Sequence, residues 1–226
     1  MASNTTLSAP RVAATRWSVR LTGVVGWVLV GCGAGVLLYL AYALLFTNIG
    51  AERAQSQLRE QWQRVEAVPH ERDGRPVAAA PAPDVPGVAL LEFARPGRSR
   101  PLIADEPLVV LDGVTSGELA QGPGHYPDSA PPGGPGNFSV AGHRTTYGAP
   151  FFHVDQLRPG DQILVTDRDG TRHTYEVRRQ HIVAPSETWV IGPDPLRTGE
   201  PTMTLTTCNP RFSAAQRLVV HAELVS

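Results

Sequence analysis

The sequence predicts an all-β domain with short helices over residues 87–226, preceded by one membrane-spanning helix and a stalk. Residues 21–46 contain no charged side chain, whereas residues 68–86 are rich in Pro and Ala. From residue 87 onward, short runs of Val, Ile, Leu and Thr alternate with Gly and Pro, which is the pattern of strands joined by turns. This pattern is typical of a small barrel or sandwich, and periodicity alone does not distinguish the two.

The apolar segment 21–46 is long enough to cross a bilayer, because a helix needs about 20 mostly apolar residues to do so. A cleaved signal peptide would have a shorter apolar core, of about 7–15 residues, followed by a small-residue cleavage site. Arginines precede the segment without any acidic residue, whereas Arg and Glu are mixed after it. The positive-inside rule therefore predicts a cytoplasmic tail over residues 1–20 and an extracytoplasmic remainder, in a single-pass protein of the cell membrane.

The stalk is predicted over residues 47–86. Its first part, residues 51–66, has good helix formers and no Pro or Gly, which favours a polar helix that continues the membrane span outward. Its second part, residues 68–86, has too few large apolar side chains to build a core, and it predicts a semi-rigid extended spacer. Together the two parts would hold the following domain away from the bilayer.

Seven segments of the β-rich domain are predicted to be strands, because they combine β-branched and apolar residues between turn signals. They are residues 88–93, 108–114, 137–143, 161–167, 171–183, 202–207 and 218–224. Asp169-Gly170 separates two of them and is a good hairpin-turn signal. Residues 151–157 predict one or two helical turns. The domain is large enough to enclose a core of its own.

Charge and cysteine content narrow the possible functions. The net charge is −1, so no overall basic field is available to bind nucleic acid. The chain has two cysteines, Cys32 in the apolar segment and Cys208 in the β-rich domain. If the apolar segment spans a membrane, their Cα atoms cannot approach within the roughly 7 Å that a disulfide requires. Cys208 is then a lone thiol in an exported domain, either reactive or available for an intermolecular link.

Three side chains that can perform acyl transfer lie at predicted strand ends. Cys208 ends the strand TMTLTT, because Pro210 cannot continue a central strand. His143 ends the strand NFSVAG and is a candidate base or cationic neighbour for a thiol nucleophile. Arg217 begins the last strand, where a guanidinium can stabilise an oxyanion. Taken singly, the three are also compatible with a buried structural cysteine, a surface histidine and a solvated strand end.

The order of these residues, together with the sequence blocks around them, resembles the sortase family. The blocks are NFSVAGHRTTYGAPF, DQILVTD, TLTTCNP and RLVVHAEL, and the resemblance covers residues 87–226. Within the family, the segment GPGHYPDSAPPG and the run HRTTYG most resemble the class E sortases of high-GC Gram-positive bacteria. The chain departs from many relatives at Asn209, where they have histidine directly after the cysteine.

This resemblance implies a closed eight-stranded β-barrel. The eighth strand would come either from dividing residues 171–183 or from a short strand near residues 101–104. The resemblance also implies a cysteine transpeptidase, of the cysteine-endopeptidase type, that needs no cofactor or metal. Its substrates would be surface proteins bearing a C-terminal sorting motif, Leu-Ala-x-Thr-Gly or Leu-Pro-x-Thr-Gly, cleaved between Thr and Gly.

The same resemblance gives each catalytic candidate a role. Cys208 would attack the Thr carbonyl and form a thioester. His143 would protonate the leaving glycine amine, and Arg217 would stabilise the oxyanion. An amine of a lipid II-like peptidoglycan precursor would then receive the protein, which would become attached to the cell wall.

Three further residues are substrate-binding candidates by the same resemblance. Class E sortases use a tyrosine near the His-Arg-Thr-Thr-Tyr run to favour Ala over Pro in the motif. Tyr147 is the nearest match in this chain, and Tyr126 is a second candidate. Thr207, directly before the nucleophile, is a candidate for shaping the site, whereas His125 is expected to order a loop.

Other functions stay open at this point. The same Cys–His pair could act as a hydrolase with water as the acceptor, which product analysis with and without a glycine-rich amine distinguishes. The domain could instead be a non-catalytic wall-associated binding module, in which case replacing Cys208 with Ala leaves binding intact. A metal-binding domain is disfavoured, because the seven histidines are scattered and lack ligand spacing such as His-x₃₋₅-His.

Overall fold

Helix α1, Thr15–Glu66, is the first element of the computed structural model, which describes residues 15–66, 71–72, 75–76 and 87–226. The predicted tail over residues 1–20 lies mostly outside these residues. The chain divides into two units between Ala43 and Leu44. In the first unit, the side chains of residues 23–42 are exposed, and the helix is long and apolar enough to cross a membrane.

The second unit contains the rest of α1 and the β-rich domain. The helix predicted over residues 51–66 is confirmed. One face of it packs on the domain, because Leu58 and Trp62 form an apolar cluster with Val109 and Leu111. The spacer predicted over residues 68–86 lies mostly outside the described residues, which include the short antiparallel pair of β1 (Glu71–Arg72) and β2 (Arg75–Pro76).

The β-rich domain is a closed eight-stranded barrel with short helices, as predicted. Its strands are β3 (Gly87–Ala94), β4 (Leu108–Asp112), β5 (Gly124–His125), β6 (Asn137–Ala141), β7 (Gln162–Asp167), β8 (Arg172–Val183), β9 (Thr202–Asn209) and β10 (Gln216–Leu224). They close in the order β10-β8-β7-β3-β4-β5-β6-β9. The β4–β5 and β6–β9 pairs are parallel, and the other pairs are antiparallel.

Both expectations for the eighth strand are wrong. Residues 101–104 form no strand, and β8 runs undivided over Arg172–Val183. The eighth strand is β5, whose two residues pair with β4 on one side and with β6 on the other. A strand of two residues is too short to show the alternation that reveals strands in a sequence. The hairpin turn at Asp169-Gly170 is confirmed, since it joins the antiparallel strands β7 and β8.

Short helical elements connect the strands. Helix α2, Ser116–Leu119, has Thr115 as its N-cap in a capping box with Glu118. The helical segment predicted over residues 151–157 is a single 3-10 turn, Val154–Gln156. A second 3-10 turn, Thr188–Ile191, lies in the loop between β8 and β9.

Strand β9 shows how the barrel presents its outer face. Met203 and Leu205 are buried in the barrel core. Because successive side chains of a strand point to opposite faces, Thr204, Thr206 and Cys208 lie on the outer face. The thiol therefore belongs to the outer surface of the barrel, at the C-terminal end of a central strand.

Candidate active site

Cys208 lies between two strands that carry the other candidate catalytic residues. On one side β9 pairs with β10, and Arg217 is the direct partner of Cys208. On the other side β9 runs parallel to β6, where Ala141 is the partner of Thr206. Because parallel strands advance together, His143 is level with Cys208 two residues later. The register thus places Cys208 and Arg217 side by side on one face, and it brings His143, two residues beyond the end of β6, to the same end of the barrel.

The backbone around His143 is fixed from both sides. Gly142 N–H donates to the carbonyl of Thr206 over 3.1 Å, and the Thr207 hydroxyl donates to the carbonyl of Gly142 over 2.7 Å. The His143 carbonyl accepts a hydrogen bond from Phe151 N–H over 3.1 Å. A Cβ at position 142 would lie 2.6 Å from the Phe151 ring, which explains the glycine there. Burial lowers the pKa of the His143 imidazole below its usual 6.5.

The Arg217 guanidinium is turned toward the loop that precedes β10. Its Nη1 donates to the carbonyl oxygens of Ala214 and Gln216, each over 3.0 Å. Within the described part of the chain, its Nε and Nη2 groups have no hydrogen-bond acceptor. Both groups are therefore available to donate to an anionic oxygen.

Arg144 is a site residue to which the sequence analysis gave no role. It is 4% exposed, and its guanidinium donates to the carbonyl oxygens of Phe152 over 3.2 Å and of Cys208 over 3.3 Å. The Asp155 carboxylate lies 3.4 Å away. Burial lowers the pKa of Arg144, the negative charge of Asp155 opposes that shift, and the positive charge of Arg211 adds to it. The available sequence signal was its position in the block AGHR.

Tyr147 lies beside His143 in the loop that follows it. The two ring centroids are 4.8 Å apart, with the ring planes tilted by 32°. Tyr147 also lines a cleft of about 770 Å³, whose other walls include residues 51–59 of α1 and residues 101–106. Cys208 is not among the residues that line this cleft. One aromatic ring thus contacts the candidate catalytic histidine and borders the cleft.

The other two substrate-binding candidates contact the strand that carries the thiol. The Tyr126 hydroxyl lies 3.0 Å from the Thr206 hydroxyl, two residues before Cys208 on the same face. Thr207 is 4% exposed, and its hydroxyl donates to the carbonyl of Gly142. Thr207 therefore links β9 to the residue before His143.

His125 and the cysteines complete the positions singled out in the sequence. His125 Nε2 lies 3.1 Å from the carbonyl of Ala130 and 3.0 Å from the Ser129 hydroxyl, so it orders the loop after β5. Cys32 and Cys208 are both free thiols. Among the described residues, no three His, Cys, Asp or Glu side chains converge as the ligands of a metal ion would.

Two further histidines, which the sequence did not single out, lie on β8 and β10. His221 is fully buried, and its Nδ1 lies 2.9 Å from the Thr204 hydroxyl. With that hydroxyl donating to Asn137 Oδ1, the Nδ1–H tautomer of His221 completes the contact, and Nε2 has no hydrogen-bond partner among the described residues. The His181 ring lies 4.9 Å from His221 and is stacked on Trp189. Burial, with the charge of His181 adding, lowers the pKa of His221 to about 3.

Comparisons with known proteins agree with this architecture. A family model described as the sortase domain matches residues 103–225. Sortase SrtE1 of Streptomyces coelicolor is 29% identical over 216 residues, which are 89% of this chain but 56% of SrtE1. The chain thus spans little more than half the length of that relative. Two solved structures are also similar, each over 62% of this chain and 88% of theirs. Sortase E from Streptomyces avermitilis is 37% identical with a TM-score of 0.51. Sortase E1 from Streptomyces coelicolor, with a tripeptide in its active site, is 30% identical with a TM-score of 0.53.

Proposed function

The chain belongs to the sortase family, whose members are cysteine transpeptidases, and we propose that it is a membrane-anchored transpeptidase of the class E kind. The observation that carries this proposal is the position of Cys208. Arg217 is its register partner on β10, and His143 is level with it at the end of β6. A nucleophile, a proton carrier and an oxyanion donor on one face are the parts that acyl transfer requires.

In the acylation step, the Cys208 thiolate attacks the carbonyl carbon of the Thr in a C-terminal sorting motif. The carbonyl oxygen becomes an oxyanion, for which Nε and Nη2 of Arg217 are the available donors. The His143 imidazolium gives its proton to the glycine nitrogen as the C–N bond breaks. The products are a free glycine amine, a Cys208 thioester and a neutral imidazole.

In the second step, an amine attacks the thioester carbonyl. The neutral His143 imidazole takes the proton that the attacking nitrogen loses, and the Cys208 thiolate leaves. A new amide bond forms, and the thiolate–imidazolium pair is restored. We propose that the amine belongs to a lipid II-like cell-wall precursor and that the substrates are surface proteins with a sorting signal.

The two tyrosines are the proposed determinants of motif choice between Leu-Ala-x-Thr-Gly and Leu-Pro-x-Thr-Gly. Tyr126 reaches Thr206 on the face that carries the thiol, and Tyr147 packs on His143. Both rings are therefore next to residues of the proposed catalytic group, which supports them as candidates to contact a peptide bound to Cys208. The apolar part of α1 supports anchoring in the cell membrane, with a cytoplasmic N-terminus proposed from the arginines that precede it.

Product analysis tests the transfer. The full chain in detergent micelles is incubated with a Leu-Ala-x-Thr-Gly peptide, with and without a glycine-rich amine, and the products are separated by mass spectrometry. Transpeptidation predicts an amide between Thr and the added amine. Release of the free Thr carboxylate at the same rate, whether or not the amine is present, would instead identify a hydrolase. Cys208→Ala is the matched control and is expected to give neither product.

A further inference from the structure

The part of α1 beyond the apolar segment is joined to the barrel by a buried amide. The Gln55 side chain is 7% exposed, and its Oε1 accepts a hydrogen bond from Val109 N–H over 2.9 Å. Its Nε2 donates to the carbonyl of Val109 over 3.1 Å and to that of Gln121 over 3.0 Å. A buried amide whose groups are all paired fixes the position of its helix. This segment is therefore a fixed part of the second unit.

The same segment contacts the loop that follows His143. Asn48 Oδ1 accepts a hydrogen bond from Gly148 N–H over 3.0 Å. One turn further along the helix, Ala51 is 2% exposed, and a Cβ at Gly148 would lie 3.3 Å from its methyl group. Gly148 is thus hydrogen-bonded to α1, and the nearby Ala51 leaves little room for a side chain at this position.

The loop adopts a backbone shape that needs such support. Three consecutive residues have positive φ angles, 52° at Tyr147, 73° at Gly148 and 45° at Ala149. Non-glycine residues rarely adopt these angles, because the Cβ atom crowds the backbone. A loop of this kind keeps its shape only when surrounding contacts hold it. Asn48 makes such a contact with its central residue.

The shape of the loop determines what lies against His143. The Tyr147 ring packs on the His143 ring, and Gly148 directly follows Tyr147 in the chain. A continuous set of contacts therefore runs from Asn48 through Gly148 and Tyr147 to the imidazole.

We propose that Asn48 is a positioning residue, which holds Tyr147 against His143 and so makes the juxtamembrane helix part of the active-site structure. Asn48 is the second residue beyond the apolar segment 21–46. Activity is thus coupled to the part of the chain next to the membrane span. The expected effect of Asn48 on turnover rests on the proposed function, whereas its expected effect on the environment of His143 does not.

A variant pair in the full chain, in detergent micelles, tests the proposal. Asn48→Ala removes the acceptor for Gly148 N–H, whereas Asn48→Asp retains one. Asn48→Ala is expected to lower kcat about 2- to 12-fold, the factor that corresponds to one hydrogen bond, with less change in KM. Asn48→Asp is expected to stay within about 2-fold of the wild type. Ser56→Ala is the control, because the Ser56 hydroxyl is exposed and bonds only to Arg53 in its own helix.

A second readout is independent of turnover. Diethyl pyrocarbonate modifies neutral imidazole, so the modification rate of His143 against pH, followed by peptide mass spectrometry, gives its pKa. Tyr147 packs on the ring from its own loop, while Cys208 on β9 and Arg217 on β10 lie at the same end of the barrel. Loss of the Tyr147 cover is expected to raise the pKa of His143 toward 6.5 in Asn48→Ala. Above that pH, where the imidazole is neutral in both proteins, the greater exposure is expected to speed its modification.

The outcomes distinguish the positioning role of Asn48 from the proposed transpeptidase function. A faster modification of His143 in Asn48→Ala, restored in Asn48→Asp, supports the positioning role even if no peptide is transferred. An unchanged rate and pKa of His143 in Asn48→Ala would overturn it, whatever the turnover shows. Equal defects in the Ala and Asp variants would also overturn it, because the acceptor at Oδ1 would then be irrelevant.

Discussion

Replacing His221 with Asn is expected to remove part of the acid sensitivity of the fold. An Asn side chain places an amide N–H near the position of Nδ1, so the hydrogen bond to the Thr204 hydroxyl is kept. The titratable Nε2, which is buried without a hydrogen-bond partner among the described residues, is removed. The variant therefore isolates the proton that His221 takes up when the protein unfolds.

The size of the change in the free energy of unfolding follows from the pKa values of His221 in the folded and unfolded states. Its folded pKa is about 3, against an ordinary value of 6.5 for the unfolded chain. Since the folded pKa is depressed, the unfolded state binds more protons between these values, and the free energy of unfolding falls as pH drops below 6.5. At pH 8 the contribution of His221 to the free energy of unfolding is near zero. At pH 5 it amounts to a loss of about 2 kcal/mol, because the unfolded imidazole is almost fully protonated and the folded one is neutral.

Urea unfolding of the full chain in detergent micelles, at pH 8 and pH 5, measures this difference. The drop in the free energy of unfolding between the two pH values is expected to be smaller in His221→Asn than in the wild type, by about 2 kcal/mol. Met203→Ala is the matched control, because it removes a buried, non-titratable side chain of the adjacent strand and weakens the fold equally at both pH values. An unchanged pH difference in His221→Asn would show that protonation of His221 is not coupled to unfolding.

Three further predictions concern the hydrogen bonds of Gln55, the fit of Gly142 and the pKa of His143. Gln55→Ala is expected to lower the free energy of unfolding by about 2–3 kcal/mol, because the buried N–H and C=O of Val109 lose their partners. Urea unfolding checks this, with Ser56→Ala as an unaffected control. Gly142→Ala forces a Cβ against the Phe151 ring, so we expect kcat/KM to fall about 10-fold or more, and wild-type kinetics would contradict the tight fit. Because burial lowers the pKa of His143, the acid limb of the pH–rate profile is expected below 6.5, and a flat profile from about pH 5 to about pH 10 would count against the Cys–His pair.

Long strands and strand-end residues could be predicted from the sequence because their signals are local. The runs around β6, β9 and β10 alternate or cluster β-branched residues over many positions. Cys208 and His143 then fall at strand ends, one after a long apolar run and one after a glycine. Their mutual register, however, depends on the parallel pairing of β6 with β9, which no local pattern specifies.

The features of the fold that the sequence did not predict depend on contacts between distant segments. Strand β5 exists because Gly124 and His125 fit between β4 and β6, not because two residues have a strand pattern. The docked face of α1 was present in the sequence as a helical spacing of Ala51, Gln55 and Leu58. The polar residue Gln55 made this face look exposed in the sequence. Its amide is buried against backbone groups that only the fold brings near.

The proposed acyl transfer passes through a thioester on Cys208, which mass spectrometry detects directly. The full chain in detergent micelles is incubated with a Leu-Ala-x-Thr-Gly peptide in the absence of amine, quenched in acid, digested and analysed by mass spectrometry. We expect an increase by the mass of the Leu-Ala-x-Thr acyl group on the peptide that contains Cys208, with Cys32 unmodified as an internal control. A Cys208 peptide that stays unmodified with both the Ala and the Pro form of the motif would contradict the assignment of Cys208 as the acylated nucleophile.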